Sequence, residues 1–401
     1  MTKEIKKIEL SNKIFPLFSG LSTDLLFYTI INTMFLSIVK NFNNSQINSF
    51  IMFGVLSIFI FQPLNAKIIE KIGNKNSVKI GVWMLLIASI IITFSTNYYI
   101  IMIGYCLHEI AFIFKNMESI ILKKNLKVLN KDSDFIYIQG RAAAVYSFAT
   151  MVTALVAGFL FNINKYLPMY LCIGFCVINI ILSNFLYEAK TKEIKQEAEK
   201  LKIPKLAILI LIVYGLGFSI ISIAQPNAKL FIQADMLNVL DVKKTAIYLS
   251  MIVLVSRIIR FISCLVFPGI YKKVKNRILI HITLFLSLSM ILISLGNIFF
   301  NALYGICIMC VGYFLMLMIR DFFQVYMREL LLDNCEEKVQ RKAITYFELM
   351  KNTGRLLISL TITLILLKHK LDIVFLAFLT LSLIEILISI KLYIIIKSKN
   401  N

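Results

Sequence analysis

The sequence is short of what a soluble enzyme of its size carries. Only 16% of its 401 residues are charged, where a typical soluble domain is nearer a quarter. Acids are scarcer still, with 22 Asp and Glu against 43 Lys and Arg. One Trp, six Pro and 15 Gly leave few breakers for long helices. No G-x-x-x-x-G-K-[ST] phosphate loop occurs, which argues against nucleotide-driven pumping by this chain. Paired carboxylates suited to metal at a membrane face are nearly lacking as well. Asp132-x-Asp134 and Glu336-Glu337 come nearest, without partner acids. The seven Cys lie mostly in apolar runs, and Cys172/Cys176 and Cys307/Cys310 have no His or further Cys nearby to complete a metal site. They read as packing residues, and neither metal nor cofactor is expected.

What remains is apolar: 59% hydrophobic residues and a mean hydropathy of +0.81. At about 20 residues per crossing of roughly 30 Å of hydrocarbon, the chain has length for about a dozen spans and none for a soluble catalytic domain. Apolar stretches run over 14–39, 47–69, 77–96, 98–122, 135–161 and 167–187, then over 205–233, 245–267, 277–297, 299–323, 341–367 and 371–396. The expected fold is an all-α integral membrane protein of 12 transmembrane helices in two six-helix halves, 1–187 and 205–401. The charged segment 188–204 reads as an amphipathic linker. The first stretch is too long for a signal-peptide core and is expected to be retained as a span.

Basic residues fix the expected orientation, because Lys and Arg in short loops stay cytoplasmic. The N-terminus, the even-numbered loops and the C-terminus carry 29 of the 43, while the odd-numbered loops hold seven, among them Lys40 and Lys229. Both termini are therefore expected in the cytoplasm. The net charge of +21 then marks a leaflet of anionic lipid and needs no nucleic-acid partner.

Between the second and third stretches stands Ala66-x-x-x-Glu70-Lys71-x-Gly73-Asn74-Lys75. This resembles the G-x-x-x-D-R-x-G-R-K loop of the major facilitator superfamily, and the two-half layout is similar to that family's. The resemblance implies a transporter in which this loop latches neighbouring helices, with Glu70 the acid, Gly73 the turn and Lys71 and Lys75 the bases. The equivalent loop of the second half, 268–277, has bases but no acid. The fifth span lacks the Gly-Pro signature of the family's drug/proton antiporters, and its many small residues read as close helix packing.

An ionisable group at bilayer depth costs roughly 2.5 to 3.5 kcal/mol even on lenient scales and needs a partner or a polar cavity. Five of the eight Arg fall inside spans but only two of the 35 Lys, which points to permanent positive charge there. Arg257 and Arg260 lie three apart on the eighth span. Glu348, Lys351 and Arg355 share one stripe of the eleventh. These cations suit an anion-attracting cavity, though structural ion pairs are the other reading; Lys115 with Glu118 and Arg320 with Asp321 are expected to be such pairs. In the first half Asp24 shares a face with Gly20, Tyr28 and Asn32, and Glu109 follows His108 on the fourth span. Asp24 or Glu109 is suited to load a proton, or to neutralise Arg141. His108 alone reads as a packing residue. Gln225-Pro226-Asn227 predicts a break in the seventh span that frees a carbonyl. The resemblance implies that spans 1, 4, 7 and 10 line the path.

The expected function is secondary active transport of a small organic solute by alternating access, coupled to protons, the solute anionic or zwitterionic, by a monomer in the cell membrane. The alternatives are a multidrug-type efflux transporter and, from other classes, a lipid or isoprenoid transferase or a non-transporting sensor.

Overall fold

The computed structural model describes residues 2–131, 134–189, 204–274, 277–298, 303–335, 337–368 and 371–400, and all regular structure among them is helical. Among the described residues, eleven helices are long and apolar enough to cross a membrane. The chain separates into two compact units, Met1–Asn41 with Phe53–Gln196 and Phe42–Met52 with Glu197–Asn401. The linker expected over 188–204 lies mostly outside the described residues.

The first unit holds α1 (Thr2–Leu21), α2 (Tyr28–Met34) running into a π-helical turn (Phe35–Val39), most of α3 (Asn44–Ile72), α4 (Asn74–Phe94), α5 (Tyr98–Lys115), α6 (Glu118–Val128), α7 (Asp134–Ile163) and α8 (Leu167–Asn184). Phe18, Val78, Val82, Ile121 and Leu186 make one core cluster; Phe15, Leu122, Leu126 and Ala142 make another. The small residues of α7 pack as expected: a Cβ on Gly20 would meet the Ala142 carbonyl at 2.8 Å. The α5 start is capped by Asn97, whose Oδ1 accepts from Tyr99 N at 2.9 Å.

The second unit holds α9 (Lys205–Val239), α10 (Val242–Val274), α11 (Ile278–Ile298), α12 (Leu303–Asp333), α13 (Glu337–Lys368) and α14 (Leu371–Asn400), with the first turns of α3. Tyr214, Phe231, Phe323, Phe347, Phe375 and Phe378 fill its core. Each unit also turns large apolar side chains outward, Trp83, Phe148 and Ile163 in the first and Leu357, Leu376 and Leu387 in the second. Such surface suits hydrocarbon rather than water.

Three expectations need correction. The first span is not one helix: it stops at Leu21 and resumes at Tyr28. The fourth turns at Asn116–Met117 between α5 and α6. The seventh, where Pro226 predicted a break, is unbroken over 35 residues. Asn227 Nδ2 donates to the Ile223 carbonyl at 2.8 Å and exchanges hydrogen bonds of 2.9 Å with Asn48, which ties the turn around the proline in place.

Candidate functional site

In the first unit the interruption between α1 and α2 is built by local polar competition. Ser22 and Thr23 Oγ atoms donate back to the Phe18 and Ser19 carbonyls at 2.7 Å each, and Asn179 Nδ2 donates to the Leu21 carbonyl at 3.2 Å. These bonds terminate α1 without glycine or proline. Asp24 Oδ1 then accepts from Leu25 N at 2.8 Å, and Phe27 takes φ 65° to restart the helix. A bulky residue at positive φ is strained, and such strain collects at functional sites.

Asp24 in this break is half-buried, and its Oδ1 lies 3.9 Å from His108 Nε2 on α5. That is ion-pair range but too long for a hydrogen bond. His108 sets its ring edge-on to Phe112 at 4.9 Å. The Tyr28 and Tyr105 hydroxyls are hydrogen-bonded to each other. Asp24 acts electrostatically on Tyr28, and Glu109 on Tyr105. So Asp24, Tyr28, His108 and Glu109, singled out from sequence, come together in one unit, joined by Tyr105. Glu109 reaches α3, its Cγ 3.0 Å from the place a Gly54 Cβ would take. Arg141 is exposed on α7.

In the second unit the arginines gather around a single carboxylate. Arg260 Nε and Nη2 donate to Asp321 Oδ2 and Oδ1 at 2.9 and 2.8 Å, a two-pronged bond between α10 and α12. Arg320, expected to pair with its neighbour Asp321, acts on it electrostatically and also donates to Gln225 Oε1 on α9. Tyr313 hydrogen-bonds the same glutamine and feels Arg257, Arg260 and Arg320. Asp321 feels the same three arginines. On α13, Lys351 bonds Glu348 one turn back and lies 6.0 Å from the Phe218 ring centroid, while Arg328 Nη2 is 3.6 Å from Glu348. Arg355 is half-buried on the same helix.

Lys229, expected in a loop, lies within α9, 5% exposed, near Arg257. Lys40 lies in the connection between the π-helical turn and α3. Lys40, 7% exposed, donates to the Thr93 carbonyl at 2.6 Å and sits over the Phe35 and Tyr166 rings at 5.2 and 5.4 Å. Burial pushes its ammonium below the usual lysine value. Asp235, also on α9, is fully buried.

At the loop between α3 and α4, Gly73 turns the chain at φ 80°, a conformation that disfavours any Cβ. Glu70 and Lys71 are exposed. The carboxylate that binds this turn is Glu188, just beyond α8. Its Oε1 accepts from Asn74 Nδ2 at 2.6 Å and Lys124 Nζ at 3.1 Å, and its Oε2 from Lys75 N at 3.1 Å. An acid there answers the free N–H groups and positive pole of α4. Asn125, fully buried, holds the same segment through the Tyr187 carbonyl at 2.7 Å and Ala189 N at 3.0 Å.

Residues 17–359 match the Major Facilitator Superfamily. The chain belongs to that family. Solved structures of three transporters share its fold at low identity. The nucleoside transporter NupG is 13% identical with a TM-score of 0.73, covering 98% of this chain and 99% of its own. The POT family transporter PepTSo is 11% identical with a TM-score of 0.72, covering 99% and 98%. A bacterial homologue of the iron transporter ferroportin, in its inward-facing state, is 11% identical with a TM-score of 0.70, covering 98% and 99%. No curated protein sequence matches the chain. The protein is thus a multi-pass membrane transporter rather than an enzyme, with a small-molecule solute as its partner.

Proposed function

We propose that this transporter moves a small anionic or zwitterionic organic solute by alternating access, coupled to protons, as a monomer with 12 spans and both termini cytoplasmic. The observation that carries the substrate class is the second unit's cluster, in which Arg257, Arg260 and Arg320 share one carboxylate, Asp321. A guanidinium stays charged at any working pH and presents a planar fork to carboxylate or phosphate. Proton coupling is supported by Asp24, which sits half-buried in a helix interruption with its Oδ1 3.9 Å from the His108 imidazole. Gln225 and Asn227 on α9 and Lys351 and Arg355 on α13 would complete the polar lining. The loop of Glu70, Lys71, Gly73 and Lys75, bound through Glu188, would latch the switch between states.

The test is a thermal-stability screen of purified protein against pooled anionic, zwitterionic, neutral and cationic drug-like solutes, followed by uptake of each stabilising solute into liposomes. Anionic or zwitterionic pools should stabilise and enter, and Arg257→Ala should abolish both. Stabilisation and uptake by neutral or cationic drug-like pools alone would replace this reading with the efflux alternative.

A further inference from the structure

Near the middle of α14 lies a carboxyl that none of the foregoing uses. Glu385 stands twelve residues after Ile373 and thirteen before Ser398, the limits of that helix's membrane-capable stretch. It is 0% exposed, and neither carboxylate oxygen has a hydrogen-bond partner. The residue is one of a buried polar row, Ser382, Glu385 and Ser389, at the spacing of one helix face. Ser382 is satisfied by Ser287 on α11 at 3.0 Å. The Ser389 hydroxyl lies near Glu385 but outside hydrogen-bond geometry.

The carboxyl rests instead against bare helix backbone. A Cβ on Gly217 of α9 would stand 2.8 Å from Glu385 Oε1 and 2.7 Å from Phe323 Cζ of α12. Any side chain at 217 would displace one or the other. Among the described residues no charged group of the packed helices acts on Glu385. On α12 and α13, Arg320 bonds Gln225, Asp321 bonds Arg260, and Arg328 and Lys351 pair with Glu348. Tyr214, one turn before Gly217 on α9, is stacked on Phe347 at 3.5 Å. An ionised carboxylate in such a place loses its water and gains no donor, a cost of many kcal/mol that a protein avoids by keeping the group neutral.

We propose that Glu385 is a proton-binding site of the second unit, carried as the uncharged acid while α9 packs on α14. Release needs α9 to lift from α14 far enough for water to reach the carboxyl. The O–H bond then breaks and the proton passes to that water, leaving the carboxylate solvated. An open groove of about 460 Å³ lined by Gly215, Leu216, Met350, Gly354, Ala377 and Leu381 runs beside α9 and α14 within a turn of both Gly217 and Glu385. The site deepens the proton-coupled reading above and rests on it only for the use made of the proton.

The site is tested without solute, so that silence in transport assays does not bear on it. Thermal unfolding of purified wild type, Glu385→Gln and Glu385→Leu is followed from pH 5 to 9. The unfolded chain releases this proton above about pH 4.3 while the folded one keeps it, so the wild type loses stability as pH rises. The variants should gain on wild type by up to tenfold in the folding equilibrium per pH unit. A gap independent of pH, or one that moves the other way, overturns the site. Infrared spectra of the wild type at pH 8 decide the matter should neither variant fold. A protonated-carboxyl band is expected, and the lack of any such band overturns the proposal.

Discussion

Asp24 of the first unit sits between Leu21 and Tyr28, where the helix has come apart, whereas Arg260, Asp321 and Arg320 of the second ride on α10 and α12, uninterrupted helices of 33 and 31 residues. The residues around each carboxylate account for the contrast: Ser22 and Thr23 hydroxyls bond backbone carbonyls where α1 ends, and Asp24 beside them accepts from Leu25 N, whereas Asp321 stays on an unbroken helix and is met by a side chain from α10. An arginine reaches across to a neighbouring helix and leaves its own backbone intact. Opened backbone is deformable and closed ion pairs are stiff, and the function proposed above uses that difference: a proton taken up at Asp24, a solute's charge met by the arginines.

The comparison can be broken most severely at Arg260. Arg260→Ala removes the two-pronged bond to Asp321 and leaves that carboxylate to Arg257 and Arg320, and the unfolding free energy in detergent should fall by about 2 to 3 kcal/mol, with Arg260→Lys intermediate because one prong remains. A loss no larger than that of Asp24→Asn would erase the distinction between stiff and deformable sites. Next comes Glu188, whose removal leaves Asn74, Lys75 N and Lys124 without their acceptor. Glu188→Ala should cost about 1 to 2 kcal/mol in the same assay and raise amide exchange at the start of α4. Gly73→Ala forces a Cβ into φ 80° and should cost about 1 kcal/mol; since nothing lies within 4 Å, that cost is backbone strain alone. Asp241→Asn should change nothing measurable. Its pairing with Lys244 at 3.8 Å is more than half exposed on both sides.

Much of the fold was legible in the sequence, because apolar run length is a strong signal and few breakers interrupt it. The two helix interruptions were not. Pro226 looked like a break and is not one, since Asn227 and its amide partner Asn48 hold the turn, a contact nearly 180 positions away in sequence. The true break follows Ser22-Thr23-Asp24, three residues that each bond backbone locally; that run was the available signal. At the site, the pairing of Lys115 with Glu118 at 2.9 Å was legible from their spacing of three, although a turn separates them; the helix face expected to join Asp24 to Tyr28 is interrupted, since Asp24 lies in the break. Asp235 was hidden because α9 runs on past residue 233, where the apolar stretch that defined its span ends; Lys229 lies inside that stretch and was assigned to the loop after it. The role of Glu188 was hidden for another reason: a carboxylate in a charged linker gives no sign of which turn it binds.

The central claim, that the first unit's acids carry the proton while the second unit's arginines select the solute, is tested most directly in liposomes holding a pH-sensitive dye. Wild type, Asp24→Asn and Arg257→Ala are challenged with the pooled anionic and zwitterionic solutes. The account predicts solute-dependent proton entry in wild type, solute uptake without proton movement in Asp24→Asn, and loss of both in Arg257→Ala. Proton entry that persists in Asp24→Asn, or survives unchanged in Arg257→Ala with an anionic solute, would contradict it.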